Sequence, residues 1–177
     1  MTIPETKPNL YLSRFGVETW AEGVVDEADF HAGFGARHMA ISKKAMDEKR
    51  NPIKEIQAHM RESQRHRINL IVYFYRLYAF AKWAVKCGAI PASLFSELFN
   101  YEREIIDMRN MNMHEVDYFE GQGRNPDRWI TVSSELGSID ASSVHGDSLG
   151  GKLNASEMRS IAIRILDGLP PYYWETQ

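Results

Sequence analysis

The stretch Ile53–Lys86 constrains the fold of this chain more than any other. It is the longest helical pattern in the sequence. Its first third is polar. In its later part Leu70, Phe74, Leu77, Tyr78, Ala81 and Val85 space as one buried helical stripe. Ile71, Tyr75 and Trp83 lie off that stripe and are also apolar. A helix apolar on more than one side is central in a bundle or is buried against a second chain. The greasiest part, Ile68–Ala81, is interrupted by Asn69 and Arg76 and is shorter than the roughly 20 residues of a membrane span. It reads as a buried helix, with no membrane as partner.

The flanking segments extend this to an all-α, up-and-down helical bundle. Met1–Ala21, with Pro4, Pro8 and Gly16, reads as part of an irregular lead-in over residues 1–25. Asp26–Asp47 reads as the first long helix, with Phe30, Phe34, Met39, Ile41 and Met46 roughly on one face. Gly33 and Gly35 weaken its middle, and Asn51-Pro52 ends it. Gly88 and Pro91 stop the Ile53–Lys86 helix. Ser93 is then expected to cap a third helix, with Leu94, Leu98, Tyr101, Ile105 and Met108 as its stripe. The bundle is placed at 26–123. Residues 124–177 are expected to pack on it as a loop or hairpin followed by a helix. In that appendage Trp129–Val132 and the segment near Ile139 suggest a hairpin across Glu135-Leu-Gly137. Asn154-Ala-Ser-Glu157 is a capping-box variant that opens a last helix to about Leu166, ended by Gly168 and Pro170-Pro171.

Composition removes several function classes. The 177 residues contain 8 Phe, 8 Tyr and 4 Trp, too many aromatics for a disordered chain. A single cysteine, Cys87, removes a disulfide framework and a cysteine-based zinc knuckle, and a reducing cytoplasm is the simplest compartment. Met1-Thr-Ile-Pro-Glu-Thr-Lys-Pro8 has no apolar core of a signal peptide. The formal net charge of −3 does not advertise nucleic-acid binding. The charge is uneven, however: Lys54–Lys86 is net +5 and Leu94–Glu120 is net −5. Complementary helices in one bundle account for this plainly, and a local basic groove is the alternative.

The residues that can carry chemistry are Arg109-Asn-Met-Asn-Met-His114. Histidine takes or gives a proton near neutrality. Arginine offers fixed donors to a phosphate that gains charge in a transition state. With RNA, the 2′-hydroxyl is the nucleophile, so no serine or cysteine is required. The bare spacing is expected about once by chance in a chain with this many arginines and histidines. It indeed recurs in Arg61-Glu-Ser-Gln-Arg-His66, which reads as a solvated helix face. The plain reading of Arg109 is a salt bridge to Glu104 or Asp107, and that of His114 is a helix C-cap. Glu102, Glu104, Asp107, Glu115 and Asp117 surround the motif with charge that repels phosphate.

Asp107-Met-Arg-Asn-Met-Asn-Met-His-Glu-Val-Asp-Tyr-Phe-Glu-Gly-Gln-Gly-Arg124 resembles the HEPN superfamily of helical-bundle proteins. The likeness lies in an arginine followed by a polar residue, a histidine at helical distance and a charged, aromatic, glycine-containing exit. It covers roughly Asp26–Gly123. It implies a homodimer whose paired motifs form one cleft, and metal-independent endoribonuclease activity, as in toxin or defence proteins held by a cognate antitoxin. Carried over, Arg109 would bind and polarise the phosphate, His114 would be the acid/base and Asn110 would orient the site. Arg65 and Asn69 are candidates for the supporting polar residue of the second helix. Arg61, Arg65 and Arg67 could form an RNA-facing edge, with a solvated face as the default. No cofactor and no metal are implied. The alternative is a non-catalytic HEPN-like module that binds RNA, a nucleotide or a partner protein.

Other features read more plainly. His114 and Asp117 lack a third metal ligand. His31/His38 and His59/His66 read as surface histidines. Gly121-Gln-Gly123 follows a helix, not a strand, so it is no nucleotide cradle. Cys87 reads as a small apolar filler. The Pro-Pro-Tyr-Tyr-Trp174 tail is expected to dock on the protein's own body.

Overall fold

The structure, a computed structural model, describes residues 7–120, 122–123, 130–134, 137–140, 144–145 and 147–172. The fold is mostly helical, with small antiparallel sheets and a C-terminal helix. The first helix, α1, spans Lys7–Ala32, so the expected irregular lead-in is helical from Lys7 onward. Of the three residues read as breakers, Pro4 lies outside the described residues, and neither Pro8 nor Gly16 breaks the helix. Pro8 lies in the first turn, where a missing N–H costs no intrahelical bond. Gly16 is a contact point: a Cβ there would lie 2.0 Å from the Phe80 ring. Seven residues on, a Cβ at Gly23 would lie 2.7 Å from Tyr73. The glycines let α1 approach its neighbour closely, while Val17, Ala21, Val24 and Ala28 form its buried stripe.

The expected Asp26–Asp47 helix is two helices. The chain turns at Gly33, and α2 spans Phe34–Asp47. Of the residues assigned to its inner face, Met39 and Met46 are exposed, and Ala45 is the one fully buried position. Asn51 Oδ1 accepts the Ile53 N–H at 3.0 Å and starts α3, Ile53–Lys86, as the periodicity predicts. α3 is the central helix. Its buried residues face α1 on one side, and its polar edge reaches α5 (Glu102–Met113) on another. Gly88, at φ 72°, turns the chain out of α3 in the left-handed region that favours glycine.

The expected third helix is segmented. A 3-10 turn at Ala92–Phe95 follows Pro91, which takes the cap position expected of Ser93. Then come α4 (Ser96–Asn100), α5 and α6 (Glu115–Phe119), with interruptions at Tyr101 and His114. The expected hairpin is present: β1 (Ile130–Ser134) pairs antiparallel with β2 (Gly137–Asp140), with Ser134 opposite Gly137. β3 (Val144–His145), β4 (Ser148–Leu149) and β5 (Leu153–Asn154) form a second small sheet in that order. Asn154 caps α7 (Ala155–Asp167) by accepting the Glu157 N–H at 3.0 Å, and Gly168 ends it, as its sequence predicts.

α7 lies along α1, where Arg159 pairs with Asp29 at 2.6 Å. One buried core runs through α1, α3, α5 and α7 and includes Leu149 and Leu153. Residues 7–25 and α7 therefore belong to the bundle itself. Tyr172 docks on α1, its ring 5.7 Å from Tyr11 and 3.6 Å from the Arg14 guanidinium carbon, as expected of the tail; Trp174 lies outside the described residues. No helix among the described residues is long and apolar enough to cross a membrane.

Candidate functional site

The motif sits where α5 ends. His114 has φ −118° and ψ 25°, closes α5 as its C-cap and opens α6. Its N–H donates to the carbonyls of Asn110 and Met111 at 3.2 and 3.3 Å. The plain reading of His114 as a cap is therefore met by its backbone, and its side chain remains free for other use, being 59% exposed. Nδ1 lies 3.1 Å from Asp117 Oδ2. An ionised carboxylate can only accept, so Nδ1 donates, and the neutral ring carries its lone pair on Nε2. That tautomer suits a general base, with Asp117 holding the ring.

Arg109 is half-buried. Its Nη1 donates to Asn110 Oδ1 at 2.9 Å, and its guanidinium carbon lies 5.2 Å from the centre of the Tyr75 ring on α3. The salt bridge expected from the plain reading does not form among the described residues. Asp107 pairs with Lys152 at 3.4 Å, and Glu104 lines a cleft between α5 and α7 together with Glu157 and Arg164. Arg109 and His114 each have their own partner, and no hydrogen bond among the described residues joins them. Residues five apart on an ideal helix point about 140° away from each other. The break at His114 interrupts that regular spacing between the two residues.

The acidic surroundings are partly neutralised. The Tyr78 hydroxyl donates to Glu102, and Lys82 pairs with the same carboxylate at 3.2 Å. These contacts, the Tyr78 hydrogen bond first, hold the Glu102 carboxyl below the usual carboxylate range. Burial, and then the bond to Glu102, pushes the Tyr78 phenol up. Of the five acids around the motif, Glu102, Asp107 and Asp117 thus have partners of their own.

The residues proposed from the second helix lie elsewhere on α3. Arg61 and Arg65 are exposed, and Arg65 lines a groove against α2 with Arg37, Lys44 and Glu62. Asn69 is half-buried in the seam between α1 and α3, and its amide donates to Glu27 at 3.1 Å. Arg67 is fully buried, so it cannot belong to an RNA-facing edge. The histidines read as surface residues need correction too. His31 and His59 are buried; His59 stacks on Phe34 at 4.4 Å; His66 stacks on Phe30 at 3.5 Å and bonds to Glu27. Their seven-residue spacing marks the seam between helices, where aromatic packing covers the rings.

Two contributors escaped the sequence reading. Tyr75 was legible as an apolar residue off the α3 stripe, but not as the platform for Arg109. Asp117 was legible at i+3 from His114, though as half of a metal pair rather than as an orienting partner. Among the described residues no group of three or more His, Cys, Asp or Glu side chains is placed to hold a metal ion. No family model, curated protein or solved structure matches the chain.

Proposed function

We propose that the chain is a metal-independent endoribonuclease of HEPN type, with Arg109, Asn110 and His114 as its working residues. The observation that carries this reading is the exposed His114 imidazole at a helix break, with Nδ1 committed to Asp117 and Nε2 left as the basic nitrogen. His114 would take the proton from a 2′-hydroxyl as that oxygen attacks the adjacent phosphorus. The 5′-oxygen then leaves with a proton from an imidazolium, which a second copy's His114 can supply across a twofold axis. Arg109, without a carboxylate partner among the described residues, has N–H groups to give to the phosphate oxygens. Asn110 fixes the guanidinium. The resemblance of the motif to the HEPN superfamily supports the same chemistry. A toxin or defence role, with an antitoxin as restraining partner, belongs to this proposal.

The test is incubation of the protein with a mixed RNA pool with and without EDTA. Cleavage should survive EDTA. His114→Ala should lower it by about 10²–10⁴-fold, the ordinary worth of a general acid or base. Arg109→Ala should lower it by about 10²-fold or more. Asp117→Asn should act less severely, since an amide oxygen can still accept from Nδ1. Equal cleavage by wild type, His114→Ala and Arg109→Ala would remove the proposal. A second reading, a non-catalytic module that binds a protein partner, is favoured by the exposed Met113 and Val116 beside the motif. It predicts binding without turnover.

A further inference from the structure

The groove between α2 and α3 collects positive charge that the fold leaves unneutralised. Its α2 wall is Arg37, Ala40, Ile41 and Lys44, and its α3 wall is Ala58, His59, Glu62 and Arg65, each set at helical spacing. Arg50 and Glu55 stand at the end nearest the turn between the helices. Arg50 pairs there with Glu48 and Glu55, so those charges cancel. Three cations then remain, Arg37, Lys44 and Arg65, against the single acid Glu62. None of the three forms an ion pair among the described residues, and Glu62 comes closest to His59 instead. The groove is open and holds about 700 Å³, within the roughly 300–1,000 Å³ of small-molecule sites.

We propose that this groove binds a small organic phosphate monoester, with the phosphate between Arg37 and Arg65 and the organic body toward His59. The two arginines stand at one end of the groove. The Arg37 guanidinium carbon lies 3.9 Å from the centre of the Phe30 ring, and His66, the neighbour of Arg65, stacks on the same ring at 3.5 Å. Arg37 Nη2 also donates to the Phe30 carbonyl, so its guanidinium is held in place before any ligand arrives. Guanidinium groups that share a groove without a carboxylate partner repel each other, and an anion between them turns that repulsion into attraction. Their planar forks match phosphate oxygens. A monoester dianion also equals the excess of cations over Glu62.

The rest of the groove describes the body. Ala40, Ile41 and Ala58 give it apolar surface. His59 is 5% exposed, and its Nε2 faces the Phe34 carbonyl at 3.2 Å. A carbonyl only accepts, so Nε2 donates and the lone pair of the neutral ring sits on Nδ1. Nδ1 lies 3.8 Å from Glu62 Oε2, beyond hydrogen-bond distance. Two acceptors thus face each other with no donor between them, and an N–H or O–H on the ligand would serve both. A polynucleotide fits less well, because Glu62 would repel a second phosphate inside the groove. The groove is built from α2 and α3 and the motif lies on α5, so this inference does not rest on the ribonuclease reading.

The test is titration calorimetry on the full chain with 4-aminophenyl phosphate, which joins a dianion, an apolar ring and an N–H donor. It should bind with a Kd below about 1 mM, and at least about tenfold more tightly than inorganic phosphate. Arg65→Gln, at an exposed position, should weaken binding by about tenfold or more. Arg37→Gln should do the same; it also removes the contact to Phe30, so the Arg65 variant keeps the test decisive if α2 is unseated. Lys86→Gln, exposed at the far end of α3, should leave the affinity unchanged. Bound ligand bridges α2 to α3, so amide exchange in α2 should slow on saturation. The proposal is overturned by no binding, by equal affinity for inorganic phosphate, by an Arg65→Gln or Arg37→Gln protein that binds unchanged, by a Lys86→Gln loss as large as that of Arg65→Gln, or by α2 exchange that stays the same. A short single-stranded RNA that displaces the probe and depends equally on Arg65 overturns it as well and makes the groove a nucleic-acid surface.

Discussion

Among single side chains, Tyr172 carries the clearest dependence on pH. Its ring is held between Tyr11 and Arg14, and its hydroxyl donates to Glu18. Burial first, and the Glu18 bond second, push its phenol up to about 12. An unfolded tyrosine titrates near pH 10. The folded value is the higher one, so the stabilisation from docking is fully present below about pH 10 and is lost as pH rises toward about 12. Above that, a phenolate would face the Glu18 carboxylate. The stability difference between wild type and Tyr172→Phe should therefore shrink across that window in thermal unfolding. The ultraviolet difference titration of the two proteins should show a phenol ionising well above pH 10. A Tyr172 phenol that titrates at the ordinary value would contradict the docked geometry. The site residues belong to the same level. Arg109, Asn110 and His114 were legible because they share one helix end. Tyr75 gained its role from geometry that no spacing encodes, a ring on another helix, whereas Asp117 was legible at i+3 but not as the partner that holds the His114 ring.

Among the elements, α1 and α2 give opposite answers to the same substitution. Alanine is a better helix former than glycine by about 1 kcal/mol. At Gly16 that gain is outweighed, because the new methyl would meet the Phe80 ring at 2.0 Å. Gly16→Ala should therefore destabilise the protein by about 1–3 kcal/mol, the ordinary cost of overpacking. At Gly35, exposed on α2, a Cβ meets nothing within 4 Å. Gly35→Ala should stabilise by about 0.5–1 kcal/mol. Denaturant midpoints of the two variants check both signs. If both substitutions stabilised, the close approach of α1 to α3 would be wrong. This contrast also explains why α1 was misread: a glycine that permits contact and a glycine that breaks a helix look alike until the neighbouring helix is known.

In the molecule as a whole, stability is unevenly distributed. The α3 segment with Leu70, Phe74, Leu77 and Ala81 is at 0% exposure and packed against α1. α2 has one fully buried residue and is held mainly by Phe34 on His59 and by Arg37 donating to the Phe30 carbonyl. Amide exchange should accordingly be slowest in the second half of α3 and much faster in α2, since local opening tracks buried apolar contact. Comparable protection in both would mean that α2 is covered in solution. The features readable from the chain were those set by neighbours in sequence: the period of α3, the Asn154 cap, the β1–β2 hairpin, the Gly88 exit and the motif at the end of α5. Each depends on backbone hydrogen bonds or side chains within a few residues. The rest depended on which surfaces meet. Only packing of α1 on α3 makes Gly16 a contact point and commits Asn69 to Glu27, and only the seat of α2 on α3 covers His59 with Phe34. Only the shallow seat of α2 leaves Met39 and Met46 outside. Burial of a side chain is set by the elements around it, and sequence periodicity can mark a face without saying what will cover it.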